Sequence, residues 1–221
     1  MPRTYEAEGA AQRYDAARAL PPQTKALWLR TLVATLPAGL APALVVDLGA
    51  GTGRFAAALQ ETLGCVVVAV EPVAAMVGEG CRRARRSVRW CRGTAEALPL
   101  RAGCADLVWM SQVYHHLDHA DAAVAELRRV LRPGGCVAVR NGTIENNLEI
   151  EWLQSFPEAV RIDAGRLPSR QALVAAFAGR GFAALAVRTV HQRFAASYAE
   201  YYEKIAQRGP SSLIAISDQA F

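Results

Sequence analysis

The chain has no apolar run approaching the ~20 residues that a membrane-spanning helix needs. Its first residues, Met-Pro-Arg-Thr-Tyr-Glu, contain no signal-peptide core, so neither a bilayer span nor export is expected, and a cytoplasmic location is. Cysteine is sparse and odd in number: five residues, at 65, 81, 91, 104 and 136, with no Cys-x-x-Cys pair. That spacing argues against a disulfide framework or a metal centre and leaves reduced structural thiols as the expectation. There is no internal repeat and no low-complexity tract. Charged residues make up 20% and hydrophobic ones 52% of 221 residues, which fits one domain over 1–221 with a sizeable core.

A further absence narrows the chemistry. Residues 44–55 read Leu-Val-Val-Asp-Leu-Gly-Ala-Gly-Thr-Gly-Arg-Phe. An apolar run ends in Asp47, glycines follow at 49, 51 and 53, and a helical pattern begins at Arg54. This is a buried strand feeding a sharp turn that exposes backbone to a nucleotide-like ligand. The dinucleotide spacing Gly-x-Gly-x-x-Gly is missing, however, because Arg54 occupies the slot of the third glycine.

From Leu44 the chain alternates strands and helices. Strands are expected at Leu44–Leu48, Cys65–Val70, Ser87–Cys91, Asp106–Ser111, Cys136–Arg140 and Phe182–Val190. Helical spacing covers Arg54–Leu63, the stretch after Pro72, Asp121–Leu131, Ser169–Gly179 and residues 195–208. Two more helical stretches, Tyr5–Leu20 and Gln23–Leu36, lie ahead of the first strand. The expectation is an α/β, doubly wound, Rossmann-like and mostly parallel sheet with helices on both faces. Residues 1–43 would form a helical lid, 44–141 the cofactor-binding core, and 142–221 a substrate cap and C-terminal part. In such a sheet ligands collect at the carboxyl ends of the strands.

Glu71 ends the second strand, 24 residues beyond Asp47, where a carboxylate can accept two hydrogen bonds from ribose hydroxyls. Met76, a turn into the next helix, either packs on an adenine or belongs to the core. After the fourth strand come Ser111, His115 and His116. Imidazole titrates near neutral pH, so these two histidines are the candidate general bases, the alternative being structural loop residues. Arg140 and Asn141 end the fifth strand and offer charge and amide donors to a polar or acidic substrate. The basic cluster Arg82, Arg83, Arg85, Arg86, Arg89 and Arg92, the main source of the +5 formal charge, falls on the opposite rim and reads as a solvated face. Nucleic acid is therefore not the expected partner.

The segment Asp-x-Gly-x-Gly-x-Gly at 47–53 resembles motif I of the class I S-adenosylmethionine-dependent methyltransferases. Gly93-Thr94-Ala95-Glu96-Ala97-Leu98-Pro99 is similar to the family's Gly-Asp-Ala-Glu-x-Leu-Pro stretch, and Leu-Arg-Pro-Gly-Gly at 131–135 resembles the branch holding the ubiquinone/menaquinone and natural-product methyltransferases. The resemblance covers residues 10–140 well. It implies S-adenosyl-L-methionine as cofactor and methyl transfer to an O-, N- or C-nucleophile of a small molecule. It implies cofactor contacts from Asp47, Gly49, Gly51, Gly53, Glu71, Thr94, Ala95 and Ser111, with Tyr14 and Arg18 as lid residues and Arg18 on the methionine carboxylate. No metal is implied, and the oligomeric expectation is monomer or homodimer. Thr94 stands where the family often has Asp. The family's seventh strand, antiparallel beside the sixth, has no counterpart pattern after Val190, so the C-terminal part is expected to be truncated or altered. An RNA- or protein-modifying methyltransferase and a non-catalytic cofactor-binding partner are the competing readings.

Overall fold

Apolar residues dominate the segments that become the inner sheet, and their side chains fill both faces of it. In the computed structural model, which describes residues 10–83, 88–147 and 149–221, strands β1 (Leu44–Leu48), β2 (Val66–Val70), β3 (Arg89–Cys91), β4 (Ala105–Ser111) and β5 (Leu131–Arg140) are all parallel. They lie in the order β3-β2-β1-β4-β5. Val45, Val67, Ala69, Leu107 and Trp109 face one side, against Leu29, Leu32, Phe55 and Leu59. Val46, Leu48, Val68, Val70, Val108 and Met110 face the other, against Leu127 and Val130. This period of two within continuous apolar runs is what covering both faces requires.

The helices that cover these faces are α1 (Ala10–Arg18), α2 (Pro22–Thr35), α3 (Ala56–Leu63), α4 (Ala74–Arg83) and α5 (Ala120–Val130). Pro22 opens α2 at a position where its missing N–H costs nothing. After β5 come α6 (Ile144–Asn147), a 3₁₀ turn at Glu151–Ser155, α7 (Pro157–Arg166), α8 (Arg170–Ala178), α9 (Tyr198–Ala206) and α10 (Ser211–Ala215). Ser169 caps α8, its hydroxyl accepting the Ala172 N–H at 3.0 Å, as its position before the helical run suggests. Leu153, Ala159, Ile205, Leu213 and Ile216 form a separate small core beneath these last helices. No described helix is long and apolar enough to cross a membrane.

The structure corrects several expectations. The helix after the glycine turn starts at Ala56 rather than Arg54, because the turn runs through residues 51–55 before the first helical residue. β5 begins at Leu131: Pro133, Gly134 and Gly135 do not end it but produce a register shift between the pairs Ala105–Leu131 and Leu107–Cys136. Residues 142–168, which show no clear period in sequence, are largely helical.

The expected sixth strand, Phe182–Val190, does not form. The segment is non-regular and mostly exposed, with Leu185 66% and Val187 52% accessible. A strand exists only by pairing, and this segment lies across a cavity of about 1300 Å³ from β5, with both segments lining it. No seventh strand is found among the described residues, and 211–215 is helical. The beginning of the expected Tyr5–Leu20 helix, together with Arg85, Arg86 and Ser87, lies outside the described residues.

Candidate functional site

The sheet order reverses between β1 and β4, which places a crevice at the carboxyl ends of these two strands. Asp47 lies there on β1, paired in register with Trp109 of β4 and Ala69 of β2. It is 2% exposed, and its Oδ2 has no hydrogen-bond partner. Burial pushes its pKa up to about 7; Arg54 opposes the shift and Glu71 adds to it. Among the described residues no donor reaches this oxygen, a cost that a donor from a bound molecule could offset.

The glycine turn follows. Gly49, Gly51 and Gly53 all have positive φ, at 66°, 58° and 82°. At Gly49 a Cβ would stand 2.4 Å from Val113 Cγ2, so glycine is needed there both for backbone angle and for space. The Gly49 and Ala50 amides donate to the Val70 carbonyl, which locks the turn onto the end of β2. Glu71, also buried, accepts the Gly51 N–H at 2.9 Å through Oε2 and the Val73 N–H at 3.1 Å through Oε1. Burial raises its pKa while those two amides pull it back down. One lone pair on each Glu71 oxygen remains for a diol.

The lid helix sits on this turn. The Tyr14 ring lies 3.5 Å from where a Gly51 Cβ would be, and Tyr14 Oη accepts from Arg54 Nη2 at 3.2 Å. Arg54 Nη1 donates to the Arg18 carbonyl at 2.6 Å, and Arg18 Nε to the Gly209 carbonyl at 2.7 Å. Asp15, which sequence reasoning passed over, accepts a hydrogen bond from Thr52 and pairs with Arg83. Arg83 is thus not simply a solvated cation: it ties α4 to the lid. Arg82 pairs with Glu79 at 2.5 Å, and Arg92 donates to the Pro72 carbonyl.

Met76 is buried in α4, 2% exposed. Thr94 is exposed in a short bridge with Ala97, whereas Ala95 is buried in the core beside Val70 and Leu98. At the end of β4, Ser111 Oγ accepts from Arg140 Nη1 at 3.0 Å, so the structure engages Ser111 with the substrate-side arginine. Gln112 was not anticipated. Its φ of 62° is strained for a side-chain-bearing residue, and its N–H donates to the Arg140 carbonyl at 2.7 Å.

The large cavity opens beside this rim. His115, Gln112, Arg140, Asn141 and Arg18 line it; His116 does not. His115 Nδ1 lies 3.0 Å from Asn141 Oδ1, an amide oxygen, which assigns the proton to Nδ1 and leaves Nε2 bare. Burial is the main cause that lowers the His115 pKa, to about 4. The His116 ring lies tilted at 44° to His115, 4.1 Å between centroids, and burial together with that neighbour lowers its pKa to about 3. Both rings are neutral at pH 7. Arg140, 5% exposed, is stacked against Trp28 (4.6 Å from Cζ to centroid) and Phe55 (5.7 Å), and Nη2 donates to Gln192 Oε1 at 2.9 Å. Trp28 and Gln192 also escaped sequence reasoning, since neither falls in a recognisable motif. Among the described residues no cluster of His, Cys, Asp and Glu could hold a metal ion.

Comparison with known proteins agrees with this geometry. Residues 46–139 match the methyltransferase-domain family. The chain is 32% identical over 188 residues to a malonyl-[acyl-carrier protein] O-methyltransferase of Geobacter sulfurreducens, covering 81% of this chain and 68% of that one. It belongs to the class I S-adenosylmethionine-dependent methyltransferases. A ubiquinone/menaquinone biosynthesis C-methyltransferase of Rubrivivax gelatinosus is 35% identical over 130 residues, 59% of this chain and 49% of the relative. A SAM-dependent methyltransferase structure from Thermotoga maritima superposes with a TM-score of 0.63 at 25% identity, covering 83% and 82% of the two chains. The chain spans about half the length of the curated relatives that head the comparison. The cofactor of the family is S-adenosyl-L-methionine, and the residues present fit it: the partnerless Asp47 oxygen suits its ammonium, and the open glycine backbone admits a ligand where side chains would not.

Proposed function

We propose that this protein transfers the sulfonium methyl of S-adenosylmethionine to a small-molecule nucleophile by in-line displacement. The observation that carries the reading is the buried Asp47 carboxylate, whose Oδ2 no described residue satisfies, beside the glycine turn that Glu71 anchors, on a sheet whose β4 and β5 ends place His115, Arg140 and Asn141 on a cavity wall. When bound, the cofactor supplies an electrophilic methyl carbon whose leaving group is a neutral thioether.

The chain's own residues do the rest. Asp47 Oδ2 would accept from the ammonium, Glu71 from the ribose hydroxyls, and Arg18 would donate to the methionine carboxylate. Thr94, Ala95 and Met76 would hold the adenine, Tyr14 would cover the turn at Gly51, and Gly49 and Gly53 keep that turn open. His115 Nε2, bare because Nδ1–H is committed to Asn141, would take the proton that the acceptor gives up. His116 packs against the His115 ring rather than meeting the acceptor. Arg140 and Asn141 fix the acceptor's polar part. Alignment of this kind supplies up to ~7–11 kcal/mol of barrier reduction, and proton removal a further ~10²–10⁴-fold.

Calorimetry with S-adenosylhomocysteine and with NADH, followed by transfer of labelled methyl to a panel of acids, phenols and amines, tests the reading. Tight binding of the first ligand alone, with label entering one acceptor class, is the expected result. Preference for NADH, or binding of neither, would sink it.

A further inference from the structure

Three guanidinium groups crowd the methyl-transfer rim, and among the described residues none of them has a carboxylate at ion-pair distance. Arg18 donates to the Gly209 carbonyl, Arg54 to the Arg18 carbonyl and Tyr14 hydroxyl, and Arg140 to Ser111 Oγ and Gln192 Oε1. All of these acceptors are neutral. Arg140 is the extreme case. The residue is only 5% exposed, Trp28 and Phe55 pack against its guanidinium, and its Nε has no partner at all. Burial, then Arg54 and Arg18, pull its pKa down to about 9, and it remains charged at neutral pH.

A buried, charged donor with an unfilled position is costly unless something occupies it. The cofactor does not relieve the excess. It brings one carboxylate, which Arg18 can take, but also an ammonium and a sulfonium, so it adds one net positive charge to the rim. Asp47, whose carboxylate Arg54 favours, is claimed by that ammonium in the reading above. An anion is still missing, and it has to come from the acceptor. Arg140 lines the cavity, and both of its described side-chain hydrogen bonds go to neutral oxygens. A carboxylate meets a guanidinium with two parallel hydrogen bonds. Beyond Arg140 the cavity wall is mixed, with Val137, Leu173 and Phe177 among its apolar residues and Glu149, Asp163 and Arg170 among its charged ones.

We infer that the methyl acceptor is a carboxylate-bearing molecule, its carboxylate paired with the Arg140 guanidinium at the cavity wall. The inference rests on the methyltransferase reading, and the experiment separates the two. Protein saturated with S-adenosylhomocysteine is titrated calorimetrically with octanoate, 1-octanol and inorganic phosphate, for the wild type and for Arg140→Gln. Octanoate should bind at least tenfold more tightly than octanol, and Arg140→Gln should abolish that advantage while its S-adenosylhomocysteine affinity stays within about threefold. Equal binding of octanoate and octanol to the wild type overturns the proposal without any variant, which covers the case in which Arg140→Gln does not fold. Binding of phosphate in preference to octanoate overturns it as well. Failure of S-adenosylhomocysteine itself to bind the wild type would instead strike the methyltransferase reading.

Discussion

Replacing Asp47 by Asn tests the cradle most directly, because one substitution removes a charge whose cost and purpose are both legible. Asp47 is fully enclosed at the end of β1, and its pKa rises from 3.8 in the unfolded chain to about 7 in the fold. A raised carboxyl pKa means that the folded state prefers the protonated form. Its contribution to stability is therefore complete below about pH 4 and is lost as pH rises through about 7. At ~1.4 kcal/mol per pH unit, that rise corresponds to about 4 kcal/mol lost across the window. The asparagine side chain has the same shape and does not titrate. Urea unfolding of both proteins at pH 4, 5.5, 7 and 8 should give nearly equal stabilities at the acid end. At pH 8 Asp47→Asn should be the more stable by as much as ~4 kcal/mol, all other titrations cancelling in the difference. In the proposed reading the ligand's ammonium offsets the wild-type cost, so S-adenosylhomocysteine binding at pH 6 should release about one proton, seen as a buffer-dependent heat. The variant should release none and bind at least tenfold more weakly. A flat stability difference from pH 4 to 8, or undiminished binding by the variant, would refute the assignment.

Gly49→Ala should cost about 2–5 kcal/mol, from left-handed strain and from overlap with Val113. Adding Val113→Ala should return part of that loss in the urea midpoint, and simple additivity would show the overlap to be immaterial. For His115, whose pKa is lowered to about 4, kcat at saturating substrates should stay level from pH 8 down to pH 6; a fall with a midpoint near 6.5 would mean a solvated imidazole. His115→Ala should lower kcat ~10²–10⁴-fold with little change in S-adenosylhomocysteine affinity, and an unchanged kcat would remove its role as base. Lys204, 4% exposed, donates to the carbonyls of Ala19 and Phe194 at 2.8 and 2.9 Å. Lys204→Met should cost about 1–3 kcal/mol and speed hydrogen exchange in α1, which a purely local loss around α9 would leave untouched.

What sequence made legible follows from how local each signal is. The first four strands fall within two residues of expectation because each is a short run whose pattern is set by the strand itself. The cradle shared that advantage: Asp47, the glycines and Glu71 stand at strand ends. Phe182–Val190 has an equally good strand composition yet is not one, because pairing is supplied by a neighbour and no neighbour lies within reach. The same limit hid Trp28, Asp15 and Gln192. Trp28 and Gln192 meet at Arg140 across 164 residues of chain, and nothing near either one announces the contact. Arg140 and Asn141 could be placed on the rim from sequence, but their partners could not.

The arrangement of that rim depends on the register of the last strand pair. Ser111 lies opposite Arg140, so both side chains leave the sheet on the same side and their hydroxyl and guanidinium meet. One residue later Gln112 takes a left-handed conformation while its N–H still reaches the Arg140 carbonyl, which turns the chain sharply out of β4. That turn delivers His115 to Asn141, the residue just past the end of β5. Because strand side chains alternate, a slip of one residue between β4 and β5 would send the Arg140 side chain to the opposite face and break the His115–Asn141 bond at the same time. The register shift around residues 133–135 is where such a slip would have to begin, and it is absorbed before Cys136, at the far end of the strand. The irregular end of β5 thus lies away from the regular end, where Arg140 meets Ser111 and Asn141 meets His115.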